Sequence, residues 1–239
     1  MTVTAITLRG MLGARRTWAL GALSVLTGLL AFLIRRNTDT VVHLDRYAEI
    51  SESLIIPTVV AFVALVLGAS TVSDEREEWT IFYFMATPLS RVRLMGEWVI
   101  AAWVASLAML VPAFLGAAAL GLSGEMGVRG LVWLVISMAL VALVYCAVAG
   151  LLALLTRRAI IIGMLYIVLW EGSVASFAAS ADRLSLGAYG RRLLAEGVPG
   201  AKTFQVPDIN AVVALIVLLA VSAAAVWIGG RRLSSMELP

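Results

Sequence analysis

The sequence predicts an all-α integral membrane protein with six transmembrane helices. Hydrophobic residues make up 62% of the 239 residues and charged residues only 14%, whereas soluble proteins carry about 25% charged residues. The long uncharged stretches are continuously apolar rather than alternating, which favours helices over the strands of a membrane barrel. A helix also satisfies its own backbone polar groups, as the interior of a bilayer requires.

Six apolar intervals are long enough for a spanning helix, which needs about 20 residues. The predicted spans are 17–34, 53–73, 98–121, 131–155, 159–180 and 209–230, and they form one domain over residues 1–239. Pro57, Gly124 and Pro199 are among the glycines and prolines that mark the joints. An even number of spans places both termini on the same side of the membrane.

The basic residues near the spans favour cytoplasmic termini in the cell membrane. That orientation puts ten of the 18 Lys and Arg residues inside, a weak excess in the direction of the positive-inside rule. The ten are Arg9, Arg15, Arg16, Arg76, Arg91, Arg93, Arg157, Arg158, Arg231 and Arg232. No basic run is interleaved with aromatic residues, so the lipid bilayer is the expected partner of these charges and nucleic acid is not.

Two segments outside the spans are expected to form short helices. Residues 1–16 mix apolar and basic residues and are expected to form an amphipathic helix at the membrane interface. The apolar segment that follows has no cleavage site, so it is interpreted as an uncleaved anchor. Residues 180–208 form the longest predicted outer loop, which is long enough for a short helix of its own.

The segment from Ser73 to Arg91 is charged, then aromatic, then broken by a proline. Ser73 or Asp74 is expected to cap a short helix whose first turns carry acidic residues, where the helix dipole favours negative charge. Pro88 ends that helix, and Ser90 is expected to cap the next one. The short helix is either part of the aromatic belt at the membrane interface or a cytoplasmic docking helix between spans 2 and 3, with aromatic anchors and an acidic rim.

This segment closely resembles the first cytoplasmic loop of ABC-2 type transporter permeases, the membrane subunits of ABC exporters. The resemblance rests on Glu75-Arg-Glu-Glu78, on Thr80 and on the block Thr87-Pro-Leu-Ser-Arg91. Trp79 stands where the family usually has glycine. The span number, the shared side of the termini and the interfacial N-terminal helix also fit, so the resemblance covers the whole chain.

The resemblance implies a transport subunit that works with other chains. A second permease copy would pair with it, as a homodimer or with a similar subunit, and two copies of a soluble ABC ATPase subunit would dock on the segment. ATP and Mg would bind to the ATPase, whose closure would drive the spans between inward and outward access; most relatives are exporters. The docking residues so implied are Asp74, Glu75, Glu77, Glu78, Trp79, Thr80, Phe82, Phe84, Pro88 and Arg91.

No catalytic, nucleotide or metal site is predicted on this chain. A phosphate loop needs Gly-x4-Gly-Lys-[Ser/Thr], and Lys202, the only lysine, lacks the required glycine before it. Cys146 and His43 are the single cysteine and the single histidine, so neither a disulfide nor a Cys/His zinc site is possible within one chain. The chain is therefore predicted not to be an enzyme, and Cys146 is interpreted as a small buried apolar residue.

Glu171 is the one acid inside a predicted span. With an α-helical rise it lies about 19 Å beyond Arg158, in the outer half of a hydrocarbon core of about 30 Å. A carboxylate facing lipid costs about 2–3 kcal/mol, so Glu171 is expected to face protein or a cavity. Together with Trp170 it is interpreted either as a substrate pathway group or gate, or as a hydrogen-bonding lock. Gly163 on the same span predicts a close helix approach.

A second function stays open at this point. A secondary transporter, or another integral membrane protein without an ATPase, could use Glu171 as its pathway group. Such transporters usually show an inverted repeat and further polar groups near the membrane centre, and neither is evident in the sequence. The apolar spans fit a hydrophobic or amphipathic substrate without identifying it.

Overall fold

The computed structural model of the chain describes residues 3–13, 15–36, 58–77, 90–121, 127–174, 185–197 and 209–235. Within these ranges the backbone is almost entirely helical and contains no strand, which confirms the predicted all-α class. The helices are α1 (Val3–Gly13), α2 (Arg15–Arg36), α3 (Ala61–Glu77), α4 (Arg91–Gly121), α5 (Gly127–Leu155), α6 (Ala159–Leu165), α7 (Leu186–Ala195) and α8 (Ala211–Ser234). A π-helical turn over residues 58–60 leads into α3, and α6 continues as the π-helical segment Tyr166–Val174.

The described helices include four that are long and apolar enough to cross a membrane. These stretches are Thr58–Glu75, Arg91–Leu115, Val128–Leu155 and Ala211–Ser234. Shorter apolar stretches accompany them at Thr17–Leu26 and Ala159–Trp170. Large apolar side chains such as Trp18, Ile161 and Ile216 are well exposed on the bundle, as suits contact with lipid. The pattern is that of a membrane protein.

The central helix of the bundle is α5, which contacts α3, α4, α6, α7 and α8. α3 approaches it so closely that a Cβ atom built on Gly68 would lie 2.6 Å from the Cα of Cys146. The buried Cys146 thiol donates to the carbonyl oxygen of Ala64 in α3 at 3.4 Å and lies 3.6 Å from the hydroxyl of Ser106 in α4. The expected burial of Cys146 is therefore confirmed, and its thiol links three helices.

Met95 of α4 fills a junction between neighbouring helices, and its side chain is fully buried. Its Cε atom would lie 3.0 Å from a Cβ built on Gly150 in α5 and 3.0 Å from one built on Gly229 in α8. One residue further along α8, a Cβ on Gly230 would lie 2.5 Å from the Cα of Val92. The start of α4 and the ends of α5 and α8 therefore meet at one end of the bundle.

The helix ends divide the bundle into two poles. Thr4 of α1 is bonded to Glu97 near the start of α4, so α1 shares the pole that holds the ends of α3, α5 and α8; we call it the α1 end. At the opposite pole, a Cβ on Gly197 behind α7 would lie 2.6 Å from the Cβ of Trp133 near the start of α5. α7 also contacts α8, and we call this pole the α7 end.

The helix boundaries correct one prediction and confirm another. α3 runs without a break through Ser73 and Asp74 to Glu77, so these residues do not cap a new helix. The reason is that no glycine or proline interrupts the chain there, and the spanning helix continues past its apolar part. Ser90 does cap α4 as predicted, because its Oγ accepts a hydrogen bond from the backbone N–H of Arg93 at 3.4 Å.

Both short helices expected outside the spans are present. α1 lies within residues 1–16 and buries Val3, Thr7 and Met11 on one face. α7 lies within residues 180–208 and begins after Ser185, whose Oγ accepts from the backbone N–H of Ala188 at 3.2 Å. Each therefore packs on the bundle at its own pole.

Replacing Gly68 by alanine should destabilise the bundle, because the new methyl group would overlap the backbone of Cys146 and push α3 away from α5. Overpacking of this kind costs about 1–3 kcal/mol. Thermal unfolding of the purified protein in detergent, followed by circular dichroism, should show a lower midpoint.

Gly21→Ala in α2 is the matched control, because a Cβ there meets nothing within 4 Å. Alanine at an uncrowded helical glycine should leave the midpoint unchanged or raise it. Equal midpoints for the two variants would contradict the close approach of α3 and α5.

Candidate functional site

The acidic residues of the segment 73–91 begin inside the last turns of α3. Asp74 and Glu75 lie there half-buried at the α1 end. The helix dipole disfavours negative charge at a C-terminus, so these carboxylates do not stabilise the helix that carries them.

The structure describes only the two ends of the docking set that the resemblance implies. Glu77 is the last residue of α3 and Arg91 is the first residue of α4. The other predicted docking residues lie outside the described residues: Glu78, Trp79, Thr80, Phe82, Phe84 and Pro88. Because α3 ends and α4 begins at the α1 end, both described ends of the segment lie at this pole.

α1 is hydrogen-bonded to the start of α4, at the pole where the described ends of this segment lie. The backbone N–H of Thr4 donates to Oε2 of Glu97 at 3.4 Å, and the Thr4 hydroxyl donates to the carbonyl oxygen of Glu97 at 3.4 Å. Arg93 donates its Nε–H to the other carboxylate oxygen at 3.2 Å. The Glu97 side chain is only 14% exposed, and it sits at the N-terminus of α1, where the helix dipole favours negative charge. A displacement of the start of α4 is therefore passed on to α1.

Trp170 and Glu171 lie in the π-helical segment Tyr166–Val174, which the sequence did not predict. π-helices are rare and occur frequently at functional sites. The indole N–H of Trp170 is buried and has no hydrogen-bond partner among the described residues.

The structure keeps the two groups of candidate residues apart. α6 crosses α3 at Gly163, where an added Cβ would overlap the side chain of Leu65; the close approach predicted for Gly163 is thereby confirmed. From this crossing the π-helical segment leads away from the α1 end. Trp170 and Glu171 are therefore not brought next to Asp74 and Glu75.

Sequence reasoning missed two contacts at the α1 end. One is the hydrogen bond that Thr4 of α1 donates to Glu97. The other is the cation–π contact in which the guanidinium carbon of Arg231 lies 3.8 Å from the ring centroid of Trp227. The pairs Trp227/Arg231 and Arg93/Glu97 both have the four-residue spacing that brings side chains together on a helix. That spacing is a usable signal, whereas nothing in the sequence marks Glu97 as the partner of α1.

The described part of the chain contains no group of three His, Cys, Asp or Glu residues that could hold a metal ion. No protein-family model matches the chain, and no curated protein matches it significantly. The candidate site therefore comprises the segment between α3 and α4 with the attached α1, and the separate π-helical segment with Trp170 and Glu171.

Glu97→Ala should loosen α1, because it removes the carboxylate that accepts a hydrogen bond from the backbone N–H of Thr4. The loss of such a hydrogen bond costs about 0.5–1.5 kcal/mol, which should appear as faster hydrogen–deuterium exchange in peptides from residues 3–13. The matched control is Glu196→Ala, which breaks an i,i+4 ion pair with Arg192 at the α7 end. If exchange in α1 is the same in both variants, Glu97 does not hold α1.

Proposed function

We propose that the chain is the transmembrane permease subunit of an ATP-driven ABC exporter of the ABC-2 type. The observation that carries the proposal is the acidic and aromatic segment between α3 and α4, which starts from half-buried acids at the α1 end. Aromatic anchors with a polar rim are the composition expected of a docking surface for a soluble partner. The proposed docking residues are Asp74, Glu75, Glu77, Glu78, Trp79, Thr80, Phe82, Phe84, Pro88 and Arg91.

The direction of the helices supports six spans rather than four. α2, α4 and α6 lead away from the α1 end, and α3, α5 and α8 lead toward it. α2 has 22 residues, which is enough for a span of about 20. In this proposal α6 and its π-helical continuation belong to a fifth passage. Both termini would then lie on the side of the α1 end.

The distribution of arginine supports a cytoplasmic position for the α1 end. Arg129 is an exposed arginine at the α7 end, where Arg191 and Arg192 are half-buried. An excess of arginine marks the cytoplasmic side of membrane proteins. Among the residues whose side chains the structure describes, the exposed arginines at the α1 end are Arg9, Arg93, Arg157, Arg158, Arg231 and Arg232.

The proposed mechanism is conformational and involves no covalent chemistry on this chain. Two soluble ABC ATPase subunits, which carry ATP and Mg, would close and displace the segment in each of two permease copies. α4 begins at Arg91. Its first turns are hydrogen-bonded to α1 through Glu97 and pack on α5 and α8 through Met95. A displacement there would bias the spans between inward and outward access.

Trp170 and Glu171 are the proposed pathway or gate residues for a hydrophobic or amphipathic substrate. Their π-helical backbone can convert to an α-helix by a change of hydrogen-bond register, since the two differ only in whether the bonds run to the fifth or the fourth residue. Such a change would rotate the residues that follow it. This gives the outer part of the span two arrangements, as alternating access requires.

Co-purification in detergent with the candidate ATPase tests the docking proposal. Wild-type chain should retain the ATPase, and the double variant Glu78→Arg with Phe82→Ala should lose it, because both the acidic rim and an aromatic anchor are altered. The expected loss is at least tenfold, equivalent to about 1.4 kcal/mol.

The matched control is Arg129→Glu with Val128→Ala, a charge reversal and an apolar truncation at exposed positions of the α7 end. This control should retain the ATPase and unfold at the same temperature as the docking variant. If neither the wild type nor the control retains an ATPase, with or without ATP, the segment is an interfacial helix and the permease proposal fails.

A secondary transporter is the second candidate, favoured by one observation: a carboxylate-bearing residue, Glu171, in a π-helical backbone within an apolar helix. Broken or irregular helices at ion sites are typical of such transporters. The same co-purification separates the two, because a secondary transporter retains no ATPase in any variant.

A further inference from the structure

We propose that the α1 end carries a binding site for the headgroup of an anionic phospholipid, built by Arg231 and Arg232 of α8 with Arg93 of α4. The proposal rests on membrane insertion and does not depend on the transport function. It assigns a partner to exposed cationic side chains that neither docking nor gating uses.

A backbone contact brings together the two helix segments that carry the three arginines. Gly230 of α8 approaches the Cα of Val92 in α4, where an added Cβ would lie at 2.5 Å. Arg231 and Arg93 are the next residues on the two helices, and the side chain of Arg93 is 66% exposed. Because only glycine permits this approach, the two positive segments are held in contact by the packing of the bundle.

The guanidinium group of Arg231 is held in position before any ligand binds. The guanidinium carbon of Arg231 lies 3.8 Å from the ring centroid of Trp227, one turn earlier on α8. Stacking on the Trp227 ring restricts the arginine side chain. Its N–H groups point outward in the plane of the guanidinium group, where they can donate to phosphate oxygens. The conformational entropy that an arginine loses on binding is thereby partly lost before the ligand arrives.

The charges around this cluster call for an anion. Glu97 already accepts bonds from Arg93 and from the N-terminus of α1, and its side chain is largely buried. Asp74 and Glu75 at the same end are half-buried. Neighbouring like charges repel one another, and an anion from outside the fold would relieve the repulsion between the adjacent Arg231 and Arg232.

A lipid fits better than a free anion because the cluster borders exposed apolar surface. Trp227 is 49% exposed and Ile228 is 46% exposed, and Val92 is exposed beside them on α4. Tryptophan and arginine together are typical of the headgroup depth of a membrane. A phospholipid can bind to both the charged and the apolar surface, with its phosphate at the arginines and its acyl chains along the apolar side chains.

Quenching of tryptophan fluorescence by brominated lipids tests the site. The full chain is reconstituted in phosphatidylcholine vesicles that contain increasing fractions of brominated phosphatidylglycerol, or of brominated phosphatidylcholine as the neutral reference. Wild-type protein should reach half of its maximal quenching at a lower fraction of the anionic lipid than of the neutral one. Trp227→Phe should remove most of that difference, because Trp227 is the reporter at the site.

Arg231→Gln and Arg232→Gln should each raise the half-saturating fraction of the anionic lipid about fivefold, which corresponds to about 1 kcal/mol for each arginine near an anionic surface. Arg129→Gln at the α7 end is the matched control and should leave it unchanged. Equal shifts in all three variants would mean a diffuse charge effect and would overturn the site. Full displacement of the quenching difference by inorganic phosphate would assign the cluster to a soluble anion instead.

Discussion

The close approach of α3 to α5 at Gly68 and Cys146 is the constraint on which the rest of the bundle depends. Burial from water does not drive helices together within a bilayer, so contact between small residues and interhelical hydrogen bonds must do so. Here an added Cβ on Gly68 would lie 2.6 Å from the Cα of Cys146, and the Cys146 thiol bonds to the carbonyl oxygen of Ala64. With the two helices at this distance, Met95 can reach Gly150 and Gly229 at once. The α1 end is therefore the platform on which these helices meet.

The helices around this platform differ in how firmly they are held. α4 is bound to α5 in its middle as well, since the indole N–H of Trp103 donates to the carbonyl oxygen of Ala139 at 2.8 Å. Beyond that point Pro112 lies inside α4, and proline removes a backbone hydrogen bond and favours a bend. The π-helical segment after α6 likewise departs from α-helical geometry and bears the exposed Val168 and Leu169. Departures from regular helix thus lie away from the α1 end.

The sequence predicted those features that depend on composition and on local signals. Continuous apolar runs predicted the all-α membrane class, Ser90 predicted the start of α4, and Gly163 predicted a close crossing. The expected cap at Ser73 was wrong because a polar sequence without glycine or proline lets a helix continue, and composition cannot say where it stops. The contact between Thr4 and Glu97 joins residues 93 positions apart, and no local pattern encodes such a pair. The π-helical register of Tyr166–Val174 likewise depends on the surrounding packing rather than on residue type.

The acidic and the basic residues of the α1 end differ in exposure, and this difference bears on how such a platform could move. Asp74 and Glu75 are half-buried beside the segment between α3 and α4, whereas Arg231 and Arg232 are exposed at the end of α8. Exposed arginines beside Trp227 resist withdrawal into the hydrocarbon, because a buried guanidinium is costly. In a membrane this would hold the end of α8 at headgroup depth, and α4 contacts that end through Gly230 and Val92. Glycine contacts allow two helices to tilt against each other while they stay in touch. In the proposed transporter, a push on the segment would then tilt α4 about α8 and carry α1 along, rather than shift the whole bundle through the membrane.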